Sequence, residues 1–192
     1  QVDALKVYAG IAPVSLGGDS IGGTIVVDTA APEFAAAGQA SLVKGQAGLS
    51  LRSNGKGGGA NLAATYATET FSASYTGAVR QADNYRAGGH FKTSTATGRV
   101  GQSLALDDVG STAYKTSNHA LGLALRSGGH LVEAKFGLQE LPYQLYPNQR
   151  MDMLKNTQQR INLRYRGQFD WGSLDARAYH EAVAHAMDFG AD

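Results

Sequence analysis

Near the C-terminus, His180-Glu181-Ala182-Val183-Ala184-His185 sets two imidazoles around a carboxylate, the side chains of a zinc hydrolase. The spacing defeats that chemistry. A helical zinc site needs its histidines at i and i+4 on one face, and His185 stands at i+5 from His180. Asp175, Arg177, Tyr179 and Glu181 alternate with Leu174, Ala176, Ala178 and Ala182, which predicts a strand and puts the two rings on opposite faces. No Ser, His and acid set stands out elsewhere, so no catalytic residue is assigned. The methionines are more informative: all 3 lie in two short motifs, Met151-Asp152-Met153 and His185-Ala186-Met187. Thioether and imidazole ligands suit Cu(I) or Cu(II) among the common metals. His185 and Met187, two apart, share a strand face. A hairpin turn near Asp170 would set Met153 opposite Met187 and Met151 opposite Phe189. Strict parity nevertheless puts Met151 and Met153 on the face of Ile161 and Leu163, and only a bulge or loop near Asn156 turns them round. The bland alternative is methionine packing and a solvated histidine.

These residues need strands to hold them, and composition favours strands. The chain has 192 residues with 25 Gly, 4 Pro and no Cys, and 17 % are charged, where soluble domains carry about 25 % charged residues and about 7 % Gly. That points to a turn-rich β protein. Without Cys there is no disulfide framework, thiolate zinc site or cysteine nucleophile. A formal charge of +1 provides no field to gather nucleic acid. The apolar runs are too short for a membrane-spanning helix, but a transmembrane strand needs only about 9–11 residues.

From about Gly38 onward the pattern has period two. In Arg160-Ile161-Asn162-Leu163-Arg164-Tyr165-Arg166, the aliphatic and aromatic residues take one face and the polar ones the other. Four polar residues facing a soluble core would be ruinous; they suit a wet lumen with the aliphatic face toward lipid. The pattern predicts about seven strands, at 38–52, 60–68, 70–83, 116–126, 130–139, 156–167 and 173–188. Connections alternate between short, at 68–70, 127–129 and 168–172, and long, at 84–115 and 140–155, as in outer-membrane barrels with short periplasmic turns and long exterior loops. Phe169 and the single Trp, Trp171, then sit beside a periplasmic turn, where an aromatic girdle is expected. The fold class is an all-β, antiparallel transmembrane barrel of about seven strands. Because seven strands do not close a barrel of even strand number, the chain is expected to be a fragment. Arg80, Lys135, Arg160, Arg164 and Arg166 are expected to face the lumen, since charges facing lipid near mid-bilayer cost about 2–4 kcal/mol. Asp83 to Lys115 is expected to be an irregular exterior loop.

Residues 1–35 read differently, as strand, glycine-rich loop and strand. Gly17-Gly18-Asp19-Ser20-Ile21-Gly22-Gly23 is no phosphate cradle, because Thr24 and a β-branched strand follow where a P-loop has Gly-Lys-Ser/Thr and a helix. It reads as a tight backbone crossing that glycine permits. Val2 through Thr29, with Gly10, Pro13, Gly17, Gly22-Gly23-Thr24-Ile25 and Val27, resembles the end of the plug domain of TonB-dependent outer-membrane receptors. Tyr146-Pro147-Asn148-Gln149-Arg150-Met151-Asp152-Met153, Asn162-Leu163-Arg164-Tyr165, Phe169-Asp170-Trp171-Gly172 and His185-Ala186-Met187-Asp188-Phe189 are similar to barrel segments of that family. The resemblance implies the end of a plug at 1–35 and the first barrel strands at 36–192. It also implies uptake across the bacterial outer membrane, driven by the inner-membrane TonB complex, with the coupling box outside these residues. Copper-type receptors of the family are similar in carrying a His-x-Met on a barrel strand, matched by His185 and Met187. The expected cargo is a metal or metal chelate, copper or an iron chelate, and no resident cofactor is assigned. The expected partners are outer-membrane lipid, the TonB complex and an extracellular metal ligand. Two rivals remain. A passive porin would have residues 1–35 extending the main sheet, and a soluble sandwich or adhesin would pack Leu121, Leu123, Phe136, Ile161 and Leu163 into a core.

Overall fold

A computed structural model describes residues 2–16, 22–149 and 151–189 of the chain. Positions 17–21 of the glycine-rich run, and Arg150 in the motif ending at Met153, lie outside the described residues. The chain divides into two compact units, Gln1–Pro32 and Glu33–Asp192. In the first, β1 (Val2–Ala9) pairs antiparallel with β2 (Gly23–Thr29) in a sheet of its own. Gly23 has φ 137°, and a Cβ there would lie 2.6 Å from the Tyr8 carbonyl oxygen. That is the close backbone approach expected of the run, found at its last glycine. Lys6 donates to Asp28 across the hairpin at 2.7 Å, and this hydrogen bond, then the attraction of the carboxylate, raises the amine above its ordinary pKa.

The second unit is one seven-stranded antiparallel sheet in chain order: β3 (Leu42–Arg52), β4 (Gly57–Ala67), β5 (Phe71–Ala82), β6 (Tyr114–Ser127), β7 (His130–Gln144), β8 (Asp152–Phe169) and β9 (Gly172–Asp188). No helix of the described residues is long and apolar enough to cross a membrane. Short turns join β4 to β5, β6 to β7 and β8 to β9 at one end of the sheet. The long connections 83–113 and 145–151 lie at the other. The sequence placed every strand but ended several too early: β7 continues through Gln144 and β8 begins at Asp152, so Met153 lies in a strand.

Register separates the side chains into two faces. Lys44, Thr65, Ser74, Gly122, Lys135, Asn162 and Tyr179 form one row, one residue from each strand. The adjacent row, Val43, Tyr66, Ala73, Leu123, Ala134, Leu163 and Ala178, projects to the opposite side. Arg80, Arg160, Arg164 and Arg166 belong to the polar face. Nothing among the described residues packs as a second layer over the apolar one: Leu163 is 48 % exposed and Phe136 41 %, and no large side chain is fully buried. The soluble-sandwich expectation of a packed core for these residues is not met. β1 and β2 form a sheet separate from the large one, where a porin would have this segment extend it.

On the apolar face one local device occurs twice. Tyr75 and Tyr165 each lie over a glycine two residues on, Gly77 and Gly167, where a Cβ would collide with the tyrosine ring and hydroxyl. Directly opposite each glycine stands a histidine, His119 on β6 and His130 on β7. Tyr75 Oη and His119 Nδ1 are hydrogen-bonded at 2.6 Å, and Tyr165 Oη and His130 Nδ1 at 2.7 Å. Ser117 Oγ takes the other His119 nitrogen at 2.9 Å. Each imidazole is thus given a polar partner on a face lined mainly with Leu, Val, Phe and Ala. His130 also packs edge-on against Phe169, which stacks on Trp171, so aromatic rings gather at the short-turn end.

Gly167→Val would push the Tyr165 ring off the backbone and break its bond to His130. The expected loss is about 1–3 kcal/mol, against about 1 kcal/mol for Tyr165→Phe, which removes only the hydroxyl. Denaturant midpoints of the two variants check the order.

Candidate functional site

The hairpin of β8 and β9 turns at Asp170-Trp171, with Gly172 at φ 143° closing it. From Phe169–Gly172 upward the pairing is regular until Lys155 meets Ala186, and the next pair is Met153 with Met187. Leu154 is the extra residue of a bulge on β8. Its effect is chemical. Without it Met153 would share the face of Ile161 and Leu163; with it Met153 stands beside Met187 on the polar face. The row reads Ala82, Tyr114, Gln144, Met153 and Met187 across five strands. His185, two residues below Met187, is paired with Asn156. The register expected from the sequence therefore holds at Met153 and Met187, and the bulge overrides the parity that opposed it. Met151 precedes β8, and the ladder ends at Asp152 with Asp188, so no pairing with Phe189 forms. His180 falls on the other face, opposite Ile161.

Exposure differs among the four candidate ligands. Met153 is 6 % exposed, Met151 and Met187 are half-buried and His185 is open. Among the described residues no group of three or more His, Cys, Asp or Glu side chains could hold a metal, so a metal here would need the thioethers.

The residue that organises this end was not singled out by the sequence. Asp152, 3 % exposed, accepts from Ser111 Oγ at 2.8 Å through one oxygen and from the Tyr146 amide at 2.7 Å through the other. It thereby fastens both long connections beside Met153. Arg99, near the tip of the longer one, reaches Asp188 at 3.2 Å. That connection is less irregular than expected. It doubles back on itself through the Arg86–Asp108 ion pair at 2.9 Å and bridges pairing Arg86 with Asp108 and Ala96 with Ser103. Asparagines hold its root: Asn54 exchanges two bonds with the Arg86 backbone, at 2.7 and 2.8 Å, and Asn84 Oδ1 accepts from the Thr112 and Ala113 amides, both at 2.9 Å. The only sequence signal was an amide residue directly after a strand or turn.

Along the polar face the charges divide. Arg164 grips Asp175 through two bonds, at 3.0 and 2.5 Å, and Arg177 approaches the same carboxylate at 3.4 Å. Arg166 reaches Glu133, a nearly buried acid, at 3.3 Å. Arg80 and Arg160 have no acidic partner among the described residues and instead lie across Gly59 and Gly137. Above Arg160 runs a belt of carboxamides in which Gln139 donates to Asn118 at 2.7 Å and Asn156 to Gln139 at 3.4 Å.

No protein-family model matches the chain, and no curated protein matches it. Solved structures do. One is the copper transporter OprC, 21 % identical, with a TM-score of 0.76 over 98 % of this chain and 26 % of that one. The chain thus spans about a quarter of that transporter's length. The likeness is one of fold: an all-β, antiparallel meander of the outer-membrane barrel type.

Asp152→Ala removes the acceptor of two bonds, each worth about 1 kcal/mol net. The expected result is several-fold faster tryptic cleavage at Lys92 and Arg99 with unchanged cleavage within the sheet, followed by mass spectrometry of the fragments.

Proposed function

We propose that the chain forms part of the wall of a bacterial outer-membrane transporter that takes up a metal or metal chelate, with the β1–β2 unit as the end of its plug. The observation that carries this reading is the seven-stranded sheet with one charged face and one apolar face, and no second layer over the apolar one among the described residues of its own unit. Such a sheet is stable only where the apolar side meets hydrocarbon and the polar side water. Lipid then contacts Leu121, Leu123, Phe136, Ile161 and Leu163, while Arg80, Lys135, Arg160, Arg164 and Arg166 line the lumen. The long connections face the exterior and the Phe169–Trp171 cluster the periplasm. Transport of copper by a protein of like fold supports the cargo class, and the resemblance of residues 2–29 to a plug ending supports energy supplied by the inner-membrane TonB complex. The separate sheet formed by β1 and β2 favours this over a passive porin.

His185, Met187 and Met153 form the exterior rim site, with Met151 beside it. An imidazole and thioethers on one face suit copper. Arg80 and Arg160, with no acidic partner among the described residues, leave the lumen able to receive an anionic chelate, the iron alternative, lower down. Titrating the intact protein with Cu(I) and Cu(II) tests the rim. At least ten-fold weaker binding is expected for the His185→Ala, Met187→Ala double variant and a smaller loss for Met153→Leu. Equal affinities would end the copper assignment while leaving the transporter.

The membrane orientation has its own test. Leu163→Arg is expected to cost about 2–4 kcal/mol of stability in lipid vesicles, whereas Asn162→Arg, its neighbour on the hydrated face, is expected to cost little. Urea unfolding of the reconstituted protein compares them.

A further inference from the structure

Between the two units the chain passes through Ala30-Ala31-Pro32, and the second unit begins at Glu33. The residues from there to Gln39 form no strand, yet the sheet holds them throughout. The Glu33 carboxylate pairs with Lys44 on β3. The Ala35 amide donates to the Thr68 carbonyl at 3.1 Å, and the Ala35 carbonyl accepts from Arg126 Nη2 at 3.4 Å. Arg126, near the end of β6, also donates Nε to the Glu69 carbonyl at 2.5 Å and lays its guanidinium over the Phe34 ring, 4.3 Å from the centroid. The Glu69 carboxylate in turn accepts from the Gly38 amide at 2.5 Å, where φ is 78°. Gln39 closes this turn on the Ala36 carbonyl at 3.0 Å.

The ties come from β3, the β4–β5 turn and β6, which the ladder itself fixes. Ala35 is 1 % exposed, and the polar-face row next to its partners, Ala67, Ser72, Ala124 and Glu133, is no more than 6 % exposed. All but Glu133 in that row are small, which leaves depth for the segment against the sheet. β3, by contrast, is weakly supported: it pairs with β4 alone, and most of its residues are exposed. An opening of the chain that reached Leu42 would meet a strand held on one side only. β1 and β2 form a sheet of two strands, and such a sheet is marginal in water, where three or more strands sustain themselves. The segment 33–39 stands in the chain between that hairpin and the edge strand.

We propose that residues 33–39 are a clasp, locked by Arg126, that confines any opening of the β1–β2 unit to the chain before Glu33 and keeps β3 on the sheet. Arg126 carries this role because one charged fork holds the Ala35 and Glu69 carbonyls and the Phe34 ring at once, joining the segment to the turn and to β6. The first unit can then be remodelled without peeling the wall. That use rests on the transporter reading, whereas the clasp rests on contacts within the second unit alone.

Hydrogen exchange followed by mass spectrometry on the intact protein, in denaturant below the transition of the sheet, reads the clasp. In the unaltered protein residues 33–39 are expected to exchange in step with β3 and about ten-fold or more slower than β1 and β2. Arg126→Ala, which removes two bonds from a charged donor, is expected to speed 33–39 and the start of β3 about ten-fold, with β7 and β8 unmoved. Arg126→Lys keeps the charge without the fork and is expected to fall between. Exchange of 33–39 in step with β1 and β2 in the unaltered protein overturns the proposal, and so does protection of 33–39 that neither substitution lowers. If Arg126→Ala exposes β7 and β8 as well, the unaltered protein and Arg126→Lys decide. None of these rates depends on transport, so a protein that fails to insert into vesicles refutes the transporter reading and leaves the clasp standing.

Discussion

The structure depends on one constraint: a single sheet whose two faces differ in polarity must find two different solvents. Ladder hydrogen bonds satisfy the backbone within each strand pair, but they say nothing about which side chains need shelter. Here Leu, Val, Ile and Phe gather on one side and most of the Lys, Arg, Asp, Glu and Asn on the other, with Lys115, Glu140 and Gln159 among the exceptions toward the long-connection end. Soluble β proteins resolve this by folding a second layer over the apolar side. The described residues contain none, and the buried apolar side chains are few and mostly alanines. In the proposed reading lipid supplies the missing cover, which accounts for a large ordered sheet with so small a core among the described residues.

Within that frame the exceptions to alternation carry meaning. Histidines on the apolar face are costly unless hydrogen-bonded, and His119 and His130 each receive a tyrosine hydroxyl. The tyrosine reaches its partner because the facing residue is glycine, over which the ring can lie. On the polar face the same economy of volume lets Arg80 and Arg160 lie across Gly59 and Gly137. At these positions glycine makes room for a long neighbour, whereas seven other glycines take positive φ.

At the long-connection end the regular ladder breaks twice, in β7 near Pro142 and in β8 at Leu154. The two breaks lie level on neighbouring strands that keep one register across them, and together they turn Gln144 and Met153 to the face of Met187. Asp152, next to the second, ties the neighbouring connections to the sheet through Ser111 and Tyr146. Bulges commonly sit where a strand must re-aim a side chain, and the proposed rim site lies at one.

Sequence alone determined the strands, their number, the two faces and the short and long connections, because each follows from local periodicity and turn residues. It also set Met153 opposite Met187, since a tight turn at Asp170 fixes a hairpin's register. What it left open was which way Met153 points. Ile161 and Leu163 argued for the wrong face, and nothing in Leu154-Lys155-Asn156 announces a bulge, which arises from the fit of β8 against β9 and not from either strand alone. Asp152 was hidden for a similar reason: its partners Ser111 and Tyr146 lie on separate connections that only the folded sheet brings together. The Tyr75–His119 bond likewise joins residues 44 positions apart. Periodicity reports the environment of a residue, whereas contacts between distant segments depend on how strands pair, and that pairing was decided by the tertiary structure.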